Sequence, residues 1–213
     1  GPGRHLRQPA FRASAMSEVL KAPALHPLSR YYQLHARLYD ATRWSFLFGR
    51  NTIIERIAAL DPQPQRILEI GCGTGKNLLA LRQRLPCAQL TGLDLSGEML
   101  AKARKRLQDQ VQVRLCNQLY DAPLASRQGF DLVLFSYTLS MINPGWDHVL
   151  RCAQQDLSPG GRLAVVDFAA SPVPWFKRWM QLNHVRMEAH LAPELQLRFH
   201  TEQLEMRRAY GGK

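Results

Sequence analysis

The segment Arg66-Ile67-Leu68-Glu69-Ile70-Gly71-Cys72-Gly73-Thr74-Gly75-Lys76-Asn77 decides the fold. Its first five residues read as a buried strand and its three alternating glycines as a turn. Leu78, Leu79, Leu81 and Leu85 then supply the apolar face of a helix. Glycine lets a backbone take positive φ and approach a ligand closely. A helix start behind such a turn presents N–H groups to an electron-rich ligand group. The spacing separates two kinds of nucleotide site. A dinucleotide fingerprint needs G-x-G-x-x-G, but counting from Gly71 puts Lys76 in the last slot. What stands here is E-x-G-x-G-x-G, from Glu69 to Gly75.

Asp94 lies nineteen residues past Gly75, at the end of a second expected strand, Gln89–Asp94. An acid about 20 residues on, at the tip of the second strand, is placed to take the two hydroxyls of a ribose. The alternatives are another Rossmann-like nucleotide domain or a glycine turn kept for tight packing.

Around this segment, strands and helices alternate, which predicts an α/β fold: a doubly wound, mostly parallel, Rossmann-like sheet. Ser96 is expected to cap a helix reaching about Leu107, followed by a third strand over Val111–Cys116. Phe130–Ser136 is nearly all apolar, as a central parallel strand should be. Asn143-Pro-Gly-Trp leads into a helix through Leu157, which Ser158-Pro-Gly-Gly ends, and Arg162–Phe168 is a fifth strand. Further on, Pro172–His190 reads as helix and Gln203–Tyr210 as a sixth strand.

Upstream, residues 1–15 read as an added leader or loose tail, with Met16 as the natural start. Residues 16–62 form an N-terminal helical cover, with helices over Ser29–Asp40 and Asn51–Leu60. Residues 63–213 form the nucleotide-binding core, with a helical insert at about 172–192.

Composition bounds the function. At 213 residues the chain is one domain with room for a proper core. The net charge is +11, of which residues 1–50 carry a balance of +6. A basic end can meet a membrane surface, a nucleic acid or an acidic substrate, or be a solvated tail. Four widely spaced cysteines form no C-x-x-C, so no metal site and no disulfide framework are expected. No run of 18 apolar residues occurs, so no spanning helix is expected. A cytoplasmic protein fits, with peripheral contact at the inner membrane face as its membrane option.

The glycine loop, the second-strand acid and the following Leu95-Ser-Gly-Glu-Met99-Leu resemble the S-adenosylmethionine (SAM) site of class I methyltransferases. The resemblance implies a SAM-dependent methyltransferase with SAM and its product S-adenosylhomocysteine as ligands. Glu69, Gly71, Cys72, Gly73, Gly75 and Asn77 would form the loop around the methionine part. Asp94 would hold the ribose, and Leu95 and Met99 would lie along the adenine. After the third strand, Asn117-Gln118 stands where the family often carries an acid for the adenine amino group. An amide oxygen accepts that bond equally well, with Asp121 as the rival. Ser136, Tyr137 and Ser140, after the fourth strand, would face cofactor and acceptor. A class I methyltransferase normally closes its sheet with an antiparallel last strand. No sequence is left for it here, so an imperfect sheet edge is expected.

Two further stretches narrow the resemblance. Tyr39-Asp-Ala-Thr-Arg-Trp-Ser-Phe-Leu-Phe-Gly-Arg50 and Phe135-Ser-Tyr-Thr-Leu-Ser-Met-Ile are similar to segments of the BtaB-type diacylglyceryl-homoserine N-methyltransferases. That implies methylation of a lipid amine, either diacylglyceryl-homoserine or the phosphatidylethanolamine of related enzymes. Tyr39 and Tyr137 are the expected catalytic residues, with Tyr39 closing over the methyl group. Tyr31, Tyr32, Arg43, Arg50 and His184 are expected on the acceptor. Aromatic faces suit a forming quaternary cation, and arginine suits a carboxylate or phosphate head group. A quinone ring or a small soluble amine is the alternative acceptor. An RNA methyltransferase is disfavoured, because no N-P-P-Y-like tetrapeptide follows the fourth strand, and no nucleic-acid partner is expected. A non-enzymatic SAM-binding protein is the remaining alternative.

Overall fold

A computed structural model describes residues 49–124, 128–142, 144–168, 178 and 190–206. Five strands form one sheet: β1 (Arg66–Ile70), β2 (Gln89–Asp94), β3 (Val113–Asn117), β4 (Phe130–Ser136) and β5 (Leu157–Val166). Their order is β3-β2-β1-β4-β5, and every pair is parallel. Around them lie α1 (Arg50–Ala58), α2 (Lys76–Arg84), α3 (Gly97–Arg106), α4 (Trp146–Asp156) and α5 (Leu191–Arg198). This is the doubly wound Rossmann-like arrangement that the alternating pattern predicts. The order reverses between β1 and β4, the place where open α/β sheets bind ligands at their carboxyl edge.

The period-2 alternation of β1 and β4 divides the core between the two faces of the sheet. Ile67, Leu132 and Leu134 pack with Ile54, Leu78, Leu81 and Leu100, under α1, α2 and α3. Leu68, Ile70, Val133 and Phe135 pack with Leu139, Leu150, Ala153 and Leu191, under α4 and α5. Both faces of the central strands are covered, which is why β4 is nearly continuous apolar sequence. By the same alternation Glu69 points to the α2 face, where it is 1% exposed. A buried carboxylate needs a partner, and that partner lies in the site below.

Ser96 caps α3 as expected, accepting from Met99 N at 3.3 Å. The Ser158–Gly161 stretch does not lie beyond a simple helix stop. Phe130 pairs with Leu157 and Leu132 with Arg162, so four residues of β5 bulge out opposite Asp131. Gly161 permits the close approach, since a Cβ there would stand 2.8 Å from the Phe130 carbonyl oxygen.

The expected sixth strand is corrected over its described part, because residues 203–206 are not strand. Leu204 and Met206 are 53% and 68% exposed, so their alternation marks no buried face. The segment is held instead by ion pairs of Glu202 with Arg162 and of Glu205 with Arg56. Residues 207–210 of that expected strand lie outside the described residues. So do Tyr31, Tyr32, Tyr39, Arg43 and His184, the Ser29–Asp40 helix and all but Arg178 and residues 190–192 of the 172–192 insert. The sequence reading missed α5, which forms because Leu191 and Leu195 meet the α4 face of the core. Its Pro193 sits in the first turn, where proline is tolerated. Among the described residues, no helix is long and apolar enough to cross a membrane.

Candidate active site

The glycine loop leaves β1 and turns into α2 at the carboxyl edge. Its three glycines have different local reasons. A Cβ at Gly71 would lie 2.6 Å from Thr138 Oγ1, because the chain after β4 packs on the loop there. At Gly75 (φ +72°) a Cβ would lie 2.8 Å from Leu107 Cδ1 and 3.2 Å from Ala103 Cβ, so this glycine lets α3 approach. At Gly73 (φ +54°) a Cβ would meet nothing within 4 Å. Gly73 is where the loop borders open space.

The loop amides are turned inward. Gly71 N and Cys72 N both donate to Leu93 O, at 2.8 and 3.0 Å, and Gly75 N donates to Cys72 O at 3.0 Å. Gly73 N donates to Asp94 Oδ2 at 2.7 Å, while Asp94 Oδ1 accepts from Ser96 N at 2.8 Å. A phosphate cradle needs its amides pointing at the ligand, whereas this loop is stitched to the end of β2. A ligand without phosphate at this position fits better. Asp94 is half-buried, and a carboxylate has about four lone-pair sites. Two are engaged, one by Gly73 N of the loop and one by Ser96 N at the cap of α3, which leaves acceptor capacity for the hydroxyls of a ribose. The Cys72 thiol is buried in the core, and its pKa is pushed far up by that burial and then by the charges of Glu69 and Asp94. It is a packing group, and no thiolate chemistry is available from it.

Farther along the edge, Asn117 Nδ2 donates to Asp94 O and Leu95 O, both at 3.0 Å. With the amide hydrogens held on the β2 tip, Oδ1 is the acceptor that a ligand can use. Leu95 is half-buried beside it, Met99 is 9% exposed in the first turn of α3, and Gln118 is exposed beyond β3. Loop, Asp94 and Asn117 therefore stand in order across the tips of β1, β2 and β3. That spread suits a ligand with an amino-acid end, a ribose and a base. Asp121 is not in this line; its backbone oxygen contacts His148 Nε2 of α4 at 2.7 Å.

On the other side of the switch point, Ser136 ends β4 at 4% exposure and Ser140 follows at 1%. Tyr137 has φ +55°, an uncommon conformation for a tyrosine. Its N donates to Val166 O at 2.7 Å, its ring lies 4.8 Å from that of Phe168, and its hydroxyl accepts from Gly49 N at 3.0 Å. Burial is the main reason that its pKa is raised, so it stays a neutral phenol. The hydroxyl expected to act on the acceptor thus also fastens the start of α1. Asp167, which the sequence reading did not single out, accepts from Ser140 N at 3.0 Å and Phe168 N at 2.8 Å. An acid directly after a fifth strand was the available signal.

Arg50 is expected on the acceptor but is tied to the cofactor side. Its Nε donates to Asn77 Oδ1 at 3.0 Å, and Asn77 Nδ2 donates to Glu69 Oε1 at 2.6 Å. Asn77 is thus the partner that the buried Glu69 needs.

Comparison with known proteins agrees with the geometry. Residues 67–161 match the family model described as a methyltransferase domain. The chain is 32% identical over 171 residues to a biotin biosynthesis bifunctional protein BioCD of Bordetella avium, covering 78% of this chain and 35% of that protein. It is 31% identical over 138 residues to a demethylmenaquinone methyltransferase of Thermus thermophilus, covering 63% and 62%. The chain therefore spans about a third to three fifths of the length of these curated relatives. In fold it is similar to the YcgJ protein of Bacillus subtilis, with a TM-score of 0.57 and 21% identity over 70% of this chain and 66% of that one. Neighbours in fold include an amino pentose methyltransferase solved with SAM and a plantazolicin methyltransferase solved with S-adenosylhomocysteine. Residues 67–161 thus carry a methyltransferase domain, on a fold shared with methyltransferases solved with SAM or S-adenosylhomocysteine bound. The names of the curated relatives point to different acceptors, among them a quinone, a malonyl carrier protein and an aconitate.

Proposed function

We propose that the protein transfers a methyl group from SAM to the amine of a lipid head group, of the diacylglyceryl-homoserine or phosphatidylethanolamine type. The observation that carries methyl transfer is the row of groups across β1, β2 and β3, with a loop whose Gly71, Cys72, Gly73 and Gly75 amides are already engaged within the protein. SAM supplies a methyl already attached to a good leaving group. The protein's share is therefore to align the acceptor, hold it dry and keep the cofactor ends in place. Gly73 leaves room beside the loop, Asp94 accepts the ribose hydroxyls, and Asn117 Oδ1 accepts the adenine amino group. Tyr137, neutral and buried, presents an aromatic face at the tip of β4. An aromatic face stabilises a forming cation by about 0.5–2 kcal/mol. A neutral amine needs no strong base to be methylated. The carboxylates described at this edge serve other ends: Glu69 holds Asn77, Asp94 holds the loop and Asp167 holds the turn after β4.

The lipid acceptor rests on the Tyr39–Arg50 and Phe135–Ile142 segments and on the basic N-terminal part of the chain. A quinone acceptor is the second reading, favoured by the similarity to a demethylmenaquinone methyltransferase. The test incubates the protein with methyl-labelled SAM and vesicles containing the lipid amine, in parallel with a demethylated quinone and with soluble amines. Label in N-methylated lipid supports the proposal. Label only in the quinone or the soluble amine moves the acceptor there, and SAM binding without any transfer overturns the enzymatic reading.

A further inference from the structure

The cations of this chain are gathered rather than spread. Residues 76–114 hold eight Lys and Arg against three Asp and Glu, a balance of +5. With the +6 of residues 1–50 this makes up the whole +11, so the rest of the chain balances to zero. Pairing is uneven too. Arg56, Arg66, Arg84, Arg151, Arg162 and Arg198 each face a carboxylate. On α3, Lys102, Arg104 and Lys105 are exposed and make no ion pair among the described residues. Helical spacing decides where these charges point. Met99, Leu100, Ala103 and Leu107 are buried, so Lys102 and Lys105 stand on the opposite, outer face, with Arg104 and Arg106 flanking it. Arg106 donates to Thr74 O, which ties the last turn of α3 to the glycine loop. Just past the helix, Val111 is 96% exposed. The basic first 50 residues lead into α1, which covers the same face of the sheet as α2 and α3.

Uncompensated cations on one outer face are a footprint for an anionic partner. Two observations choose among such partners. Residues 97–114 hold no aromatic side chain on which a nucleic-acid base could stack. Val111 sets an exposed apolar group beside the cations, and a headgroup layer accepts both, phosphates for the lysines and the acyl boundary for the valine. We propose that the outer face of α3, with Val111 at its end, is a docking surface for an anionic lipid bilayer. The apolar face of α3 stays in the core, so the helix lies on the headgroups by charge and does not insert. The inference rests on the lipid-acceptor reading above and deepens it. A bilayer held against α3 lies beside the helix that borders the cofactor site, where a lipid acceptor has the shortest way to the methyl group.

The experiment is co-sedimentation of the full chain with vesicles of phosphatidylcholine, alone or mixed with phosphatidylglycerol, an anionic lipid that carries no amine to methylate. A basic residue at an anionic surface is worth about 5-fold in partitioning. Lys102→Glu with Lys105→Glu should therefore weaken binding to the anionic vesicles by more than about 10-fold. Arg114→Glu with Arg151→Glu makes the same change in net charge on the other face of the sheet. Val113 and Leu115 pack on the α3 side, which turns Arg114 away from it, and Arg151 is exposed on α4. That control should stay within about 3-fold of the wild type. Val111→Ser should weaken binding by about 3-fold, and an unchanged affinity there overturns the choice of a bilayer over an acidic protein. Equal losses in the two double variants, or wild-type binding by the α3 variant, overturn the proposal. So does binding to single-stranded RNA that depends on Lys102 and Lys105 while binding to vesicles does not. If the α3 variant fails to fold, Lys102→Gln with Lys105→Gln decides, with a loss of at least about 5-fold expected and an unchanged affinity overturning the proposal. Methyl transfer keeps the two readings apart. Lipid methylation on vesicles that ignores the α3 variant overturns the docking surface alone, whereas α3-dependent docking with transfer only to a soluble acceptor overturns the lipid-acceptor reading alone.

Discussion

A Cβ at Gly73 would meet open space, whereas at Gly75 it would press on Leu107 at 2.8 Å. Both residues hold positive φ, where an L side chain costs about 1–2 kcal/mol. The two substitutions should therefore separate. Gly75→Ala adds a clash with α3 to the backbone strain and should lower the thermal midpoint more than Gly73→Ala. Gly73→Ala should leave most of the stability but cut SAM affinity, since its methyl enters the space kept for the ligand. Thermal melts and calorimetry on both variants check the pair; equal loss of stability would mean that Gly73 is also a packing glycine. Asp94 gives a second residue-level prediction. Its two oxygens accept from Gly73 N and Ser96 N. An asparagine offers one oxygen and turns an NH2 toward the other amide. Asp94→Asn should therefore weaken SAM binding by about 10-fold or more, and binding at wild-type strength would remove Asp94 from the ribose site.

At the scale of elements, the sheet was legible because β4 is written as a nearly continuous apolar run, and β1 and β2 are short, mostly buried stretches that end at the glycine loop and at Asp94. The Ser96 cap was legible for the same kind of local reason. The roles of Tyr137 and Arg50 were not, because each depends on a partner far away in the chain. Gly49 lies 88 residues from Tyr137, and Arg50 lies 27 from Asn77. No local pattern encodes which strand tip a helix start will meet. The bulge in β5 was hidden in the same way, because Ser158-Pro-Gly-Gly reads as a helix stop until Asp131 is seen opposite it. That aspartate carries a pH prediction. Burial alone would raise its pKa, but the Arg66 guanidinium and the Arg66 and Gln65 amides hold it below the ordinary value. A carboxylate lowered in this way adds stability that is present above its unfolded pKa of about 3.9 and lost as pH falls through the lower folded value. Asp131→Asn should therefore be less stable than the wild type at pH 7, with the gap closing toward pH 3. Thermal midpoints across that range test it, and a gap that stays constant with pH would show that the ion pair is not its source.

For the whole molecule, the charge distribution makes the membrane part of the proposal measurable. The net charge is +11, and a balance of +6 falls in residues 1–50. Attraction of such a segment to anionic lipid amounts to about 1 kcal/mol per basic residue at the surface. It is screened over about 10 Å at 0.1 M salt and about 3 Å at 1 M. The expected behaviour is co-sedimentation with vesicles containing anionic lipid, weak binding to zwitterionic vesicles, and release as salt rises toward 1 M. Electrostatics alone would give that result for any basic protein, so methylation must be read in the same tubes. If the acceptor is a lipid amine, the rate on vesicles should rise with anionic lipid at fixed acceptor content and fall with salt, while SAM affinity changes little. A rate on soluble amine or quinone that ignores both lipid and salt would separate the charge from the chemistry. The basic end would then be a solvated surface, and the acceptor would be a soluble one.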